Sequence, residues 1–256
     1  YYQREPVERL RAFFDHFLLG RDTDVLSWPR VRVELRERFC VGEMLAEAEW
    51  PIARTRYEKL YLDPAQGALS RRAVRAESSQ SYDPTSGRVV FDIRFDSTTD
   101  LIGHMKLHLW AAAERANDMD LFVAIQKLDR QGNVVPFAFW AHFDDGPVAL
   151  GWLRASHREL DADRSTAWQP VLRHARESPL KPGEPTPMDI EIWPAGTRFE
   201  AGAGLRLVIQ GRDIYDYPKP VMANRHEETV NRGAHALFGG GRFDSHLLAP
   251  LVEPRA

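Results

Sequence analysis

The sequence predicts an all-β protein, a β-sandwich or jelly roll, preceded by a single α-helix. Three observations carry this. Apolar residues recur at helical spacing before Pro29 and alternate strictly after it. The alternating runs then return along the rest of the chain, and Gly, Pro, Asn and Asp separate them. The chain has 256 residues, 43% of them hydrophobic and 11% aromatic. That is enough to fill one large core, and it excludes a disordered tail.

Residues 1–20 read as a helix. Pro6 suits its first turn, Val7, Leu10, Phe13, Phe14, Phe17 and Leu18 fall on one stripe, and Gly20 supplies the stop. So heavy an aromatic stripe needs something to cover it. A linker, 21–29, follows, and residues 21–256 form the β domain. Val31, Val33 and Leu35 alternate with charged residues, and Val89, Phe91, Ile93 and Phe95 face away from Asp92 and Arg94. Met105, Leu107 and Leu109 alternate with Lys106, His108 and Trp110. The runs 121–128 and 134–140 flank Asp129-Arg-Gln-Gly-Asn133, which has hairpin chemistry. Met188, Ile190 and Ile192 mark a further strand; Leu205, Leu207 and Ile209 another, between Gly204 and Gly211; and 245–252 the last. Residues 161–187 are rich in Pro and Gly and lack periodicity, so they read as a long surface excursion. Residues 215–241 read the same way, with a helical turn near 226–230.

Charge is nearly balanced, 34 basic against 37 acidic residues, and no stretch is dense enough in Lys and Arg to follow a phosphate backbone. Arg71, Arg72 and Arg75 read as solvated surface. Nucleic acid is therefore not an expected partner. The lone Cys40 cannot close an internal disulfide and reads as a small, at least half-buried apolar residue, which suits a reducing compartment. No apolar run approaches the roughly 20 residues of a membrane helix, and the first six residues lack the apolar core of a secretion signal. The expectation is a cytoplasmic chain without a membrane partner.

Chemistry-bearing patterns are few. A serine nucleophile on a sharp elbow needs Gly-x-Ser-x-Gly, and Ser78, Ser79, Ser81, Ser156 and Ser165 lack those flanking glycines. His104 and His108 would share a face on a strand, but at about 13 Å by strand rise, too far apart for one ion. Asp118 and Asp120 read as turn caps rather than calcium ligands. No cofactor or metal is expected. Of the seven tryptophans, Trp110, Trp140 and Trp152 fall inside strand patterns and read as core, while Trp28, Trp50, Trp168 and Trp193 sit at segment ends, where an interface is plausible.

The order of short motifs resembles one family. Arg11-Ala-Phe-Phe-Asp-His-Phe-Leu-Leu-Gly20, Trp28-Pro-Arg-Val-Arg-Val-Glu-Leu35, and Glu47-Ala-Glu-Trp-Pro51 followed by 57–62 resemble the C-terminal part of CocE/NonD-type hydrolases, the group with cocaine esterase, α-amino-acid ester hydrolases and X-Pro dipeptidyl-peptidases. Asp100-Leu-Ile-Gly103, Asp118-Met-Asp-Leu-Phe-Val123 and Gly151-Trp-Leu-Arg-Ala-Ser-His-Arg158 continue the match. Pro182-Gly183, Phe199-Glu-Ala-Gly-Ala-Gly-Leu-Arg-Leu207 and Asp244-Ser-His-Leu-Leu-Ala-Pro250 complete it. Two departures stand out: Gly202-Ala-Gly-Leu-Arg206 replaces a Gly-His-Arg, and Asp213-Ile-Tyr-Asp-Tyr-Pro218 replaces an Asn-rich stretch.

The resemblance implies a jelly roll of galactose-binding-like topology, packed on an upstream α/β-hydrolase domain whose closing helix is residues 1–20. It implies that the catalytic Ser, Asp and His lie upstream, that this chain is inactive alone, and that it helps to wall the parent's ester or peptide site. Candidate interface or substrate-wall residues are Tyr82, Asp83, Arg154, Arg158, Asp213, Tyr215 and Tyr217. Arg154 and Arg158 are expected to point together from an extended strand end, with His157 opposite. The substrate class is not carried over, and homo-oligomerisation stays open. A stand-alone carbohydrate-binding jelly roll is the alternative, and a pure interaction domain the third. The helix discriminates, because a free lectin-like module has no use for Phe13, Phe14 and Phe17.

Overall fold

The computed structural model describes residues 4–139, 143–215, 226 and 229–252. Helix α1 (Arg4–Leu19) ends where Gly20 adopts a φ of +63°, a left-handed conformation that glycine enters without a Cβ penalty. There the Gly20 N–H reaches the His16 carbonyl at 3.2 Å and the Arg21 N–H reaches Asp15 at 3.0 Å. The helix buries none of its residues. It rests against the 3₁₀ turn Asp24–Ser27, the Arg9 guanidinium lies 3.9 Å from the Trp28 ring, and Glu5 pairs with Arg32 at 2.8 Å. Its aromatic stripe stays open: Phe13, Phe14 and Phe17 are 43%, 46% and 54% exposed.

Among the described residues sixteen strands follow. They are β1 (Val31–Arg38), β2 (Val41–Glu47), β3 (Arg56–Asp63), β4 (Ala68–Ser70), β5 (Ser78–Tyr82), β6 (Arg88–Arg94), β7 (Thr99–Ala113) and β8 (Asp120–Leu128). Then come β9 (Val134–Val135), β10 (Phe137–Phe139), β11 (Phe143–Gly146), β12 (Ala149–Arg154), β13 (Thr186–Phe199), β14 (Gly204–Gln210), β15 (His235–Gly239) and β16 (His246–Val252). All but β10 and β11 join one sheet in the order β12-β8-β14-β6-β4-β3-β16-β7-β13-β1-β2, with β9 on β8 and β15 between β5 and β7. Most pairs are antiparallel; β1 with β13 and β4 with β6 are parallel, so the sheet is mixed.

The sheet curls. Leu121, Val123 and Ile125 of β8, near one end, share a single core with Leu107 and Leu109 of β7 and Ile190 and Ile192 of β13, toward the other. Each such side chain contributes about 1.5–3 kcal/mol when fully buried. The curl brings β12 against β13 so closely that a Cβ on Gly151 would sit 2.1 Å from the Glu191 carbonyl oxygen. Only glycine fits there.

The 129–133 hairpin is found, with Lys127 opposite Val135 and Leu128 opposite Val134. So are the alternating runs, except that the expected run 134–140 divides at Pro136 into β9 on the main sheet and β10 on a two-stranded sheet with β11. Residues 161–185 hold no strand beyond one isolated bridge, Leu160 with Leu172. Several expectations are corrected. Residues 215–241 are not all surface excursion, because β15 lies within them and His235, Ala236 and Leu237 are buried. Cys40 is exposed, at the β1–β2 turn with a φ of +53°. Trp152, expected in the core, is 42% exposed. Residues after Arg154 are not extended: Ala155–His157 form a 3₁₀ turn, so strand alternation does not govern Arg154, His157 and Arg158. Trp140 and, within the expected 226–230 turn, residues 227 and 228 lie outside the described residues.

Candidate functional site

The sequence-predicted site residues separate by environment. Tyr82 is buried, its ring edge-on to His235 at 5.3 Å and its hydroxyl 3.1 Å from His235 Nδ1; burial holds the phenol well above its ordinary range. Asp83 caps its own turn, accepting from the Thr85 N–H at 2.8 Å and hydroxyl at 2.6 Å, and the hydroxyl bond leads the causes that hold its carboxyl below the usual range. Arg158 donates to the Ala155 carbonyl at 3.0 Å and to that of Ser178. Arg154 makes a two-pronged pair with Asp120 at 2.8 and 3.0 Å. Asp213 accepts from the His226 backbone N–H at 2.7 Å and holds its ring Nδ1 at 2.9 Å. Tyr215 packs on Phe139 at 5.3 Å. Tyr217 lies outside the described residues.

Asp118 and Asp120 act as local anchors. Asp118 accepts from Met119 N–H (2.9 Å), Ser156 N–H (2.8 Å) and Ser156 hydroxyl (2.7 Å), which fixes the 3₁₀ turn. Asp120 also accepts from Val230 N–H at 3.0 Å, while Asn231 ties the Asp120 N–H (2.8 Å) to the Gly211 carbonyl (2.6 Å). His104 accepts from the Trp50 indole at 3.1 Å. Among the described residues no cluster of three potential metal ligands occurs, and no serine hydroxyl bonds a histidine ring.

Of the predicted site residues Arg154 lines a cavity of about 500 Å³ where the outer faces of β8 and β12 approach β13, and Asp213 is tied to it only through its bonds to His226, which also lines it. Phe122 and Trp152 are ladder partners. Trp193, from β13, brings its ring to 5.1 Å from Trp152 at 65°, and His226 lies 5.9 Å from Trp152 and 5.3 Å from Phe122. Trp152 and Trp193 are 42% and 48% exposed. Glu191, one alternation before Trp193, accepts from the Gln169 amide at 3.2 Å. The far wall is Leu172, His157 and His174, the two imidazoles 5.7 Å apart. Sequence reasoning placed Trp193 at a segment end but gave no role to Glu191 or His226. For Glu191 the signal is the outward phase of β13, which it shares with Trp193; His226 carries no such signal.

Fold and site together define the class: a mostly-β domain on one curled mixed sheet, entered through an amphipathic helix. The chain belongs to the family of X-Pro dipeptidyl-peptidase C-terminal non-catalytic domains, whose pattern matches residues 24–248. Two solved structures of a CocE/NonD family hydrolase from Staphylococcus aureus are 40% identical to it, each with a TM-score of 0.94. They cover 99% and 98% of this chain, but this chain spans only 46% and 47% of theirs. The fold is also shared with an aminopeptidase from the marine sediment archaeon Thaumarchaeota archaeon (14% identity, TM-score 0.65) and an α-amino acid ester hydrolase (16%, 0.64). These cover 95% and 94% of this chain, which spans 44% of each. No curated protein sequence matches.

Proposed function

We propose that the chain is the non-catalytic C-terminal part of a CocE/NonD or X-Pro dipeptidyl-peptidase type hydrolase, which packs on an α/β-hydrolase domain and helps to wall its ester or peptide site. In this reading residues 1–20 belong to the hydrolase domain and 21–256 form a jelly roll of galactose-binding-like topology. Two sheet ends facing across one core support the jelly roll; an experimental structure with β12 and β13 hydrogen-bonded as ladder neighbours would refute it.

The observation that carries the reading is the open stripe of α1. Val7, Leu10, Phe13, Phe14, Phe17 and Leu18 are between 43% and 73% exposed. Covering these six half-open side chains is worth on the order of 5 kcal/mol gross, a strong drive toward a partner. The family pattern begins at residue 24, after this helix, whereas the 40%-identical hydrolase structure overlaps 99% of the chain. A carbohydrate-binding module is the rival reading. Trp152 and Trp193 offer it indole surface, but it leaves α1 without a purpose.

The test is docking onto the hydrolase domain of the same polypeptide, produced separately. The 256-residue chain should bind it, and Phe13→Asp with Phe17→Asp should weaken binding at least about tenfold while leaving the β domain folded. Unchanged affinity in the double variant, or no binding by the parent chain, overturns the reading.

A further inference from the structure

The cavity between β12 and β13 has a chemical imbalance that its own residues do not resolve. It is lined by Phe122, Trp152, Trp193 and His226 on its aromatic side, and by three carboxylates, Asp120, Asp189 and Glu191. Two of those acids have cationic partners. Asp120 holds Arg154 in a two-pronged pair, and Asp189 lies 2.7 Å from His108 Nδ1 and 3.3 Å from Lys106 Nζ. Glu191 differs. It accepts from the neutral Gln169 amide and forms no ion pair among the described residues: Lys106, its ladder partner on β7, reaches Asp189 instead, and the His104 imidazole interacts with Glu191 only through its field. Arg154, the guanidinium on this wall, is already committed to Asp120.

Aromatic faces attract cations through the ring quadrupole, most strongly for tryptophan, and a carboxylate without a counter-ion adds a charge-assisted acceptor. His226 adds a second acceptor. With Nδ1 directed to Asp213 as donor, an unprotonated ring has its lone pair on Nε2. The half-exposed Trp152 and Trp193 are thus placed as a surface for a cationic group, with Glu191 two residues before Trp193 on the same strand face. We propose that this cavity binds a primary or secondary alkylammonium ion, its N–H groups donated to Glu191 and its carbon frame laid on the two indoles. The site is built wholly from this chain and does not depend on docking to a hydrolase domain.

The test is calorimetric titration of the 256-residue chain with benzylammonium, with benzyl alcohol as the uncharged analogue of the same shape and a methyl glucopyranoside as a neutral sugar. Benzylammonium should bind saturably and at least about tenfold more tightly than the alcohol. Glu191→Gln should erase that preference, Trp193→Ala should remove saturable binding, and circular dichroism should show both variants folded, because both side chains lie at the surface. Equal affinity for amine and alcohol overturns the proposal, as does a Glu191→Gln variant that keeps the preference. Saturable binding of the glucopyranoside but not the amine would make this a sugar site and overturn it too, and so would an absence of saturable amine binding.

Discussion

Acidification should destabilise this domain, and part of the loss should come from a single residue, His235. It sits on β15 with no exposed surface, its Nδ1 is 3.1 Å from the Tyr82 hydroxyl, and its Nε2 has no hydrogen-bond partner among the described residues. Burial pushes its pKa down to about 4, against the weaker upward pull of the Asp120 and Asp83 carboxylates. The unfolded chain would titrate near 6.5. The native state therefore prefers the neutral ring. Its contribution is complete above about pH 6.5, falls as the unfolded chain takes up a proton that the native state refuses, and levels off below about pH 4. A gap of roughly 2.5 pH units is worth about 3 kcal/mol, a large share of a domain's net stability. The assay is urea unfolding of the parent chain and His235→Phe across this range. The substitution leaves the buried Tyr82 hydroxyl unpaired, costing about 1–3 kcal/mol, but that cost is the same at every pH. Carboxylates that titrate in both proteins, such as Asp83, cancel. The stability advantage of the parent should thus shrink by about 2–3 kcal/mol between about pH 7 and pH 4.5. An advantage that stays constant across that range would refute the assignment of a buried neutral imidazole.

Gly151→Val should lower the melting temperature sharply, with a loss of about 3 kcal/mol or more, because the added Cβ would meet the Glu191 carbonyl oxygen at 2.1 Å and must push β12 from β13; a thermal scan matching the parent would show that the two strands do not make this contact. The isolated chain should not react with a fluorophosphonate serine probe. Ser156, the most suggestive hydroxyl, is buried and donates to Asp118 rather than to a base. Labelling abolished by changing one of the chain's own serines would contradict this.

What could be read in advance depended on whether the deciding interaction was local. Helix α1 and its Gly20 stop, the strand faces of β6, β7, β13 and β14, and the Asp129 hairpin all follow from periodicity and turn chemistry within a few residues. Strand β5 escaped notice because Ser78–Tyr82 is polar on most positions and becomes a strand through β15, whose partner lies more than a hundred residues away. Strand β15 escaped because glycines surround a run too short to show a period. Trp152 is more instructive. Ala149, Gly151 and Leu153 face inward, so alternation by itself places Trp152 and Arg154 outside; the expectation of core rests on membership of a strand pattern without regard to phase, and phase wins. The extended ending expected after Arg154 failed for a tertiary reason, the grip of Asp118 on Ser156 from the neighbouring strand's entry. The cavity needed still more. The same phase rule puts Glu191 and Trp193 outside on β13, but positions 152 and 193 share no ladder, and no register argument joins them. Only the bareness of Gly151 hints that another backbone presses there. Strand phase by itself suffices to put Trp152, Arg154, Glu191 and Trp193 outside, while the curl of the sheet, a property of the whole core, brings those faces together.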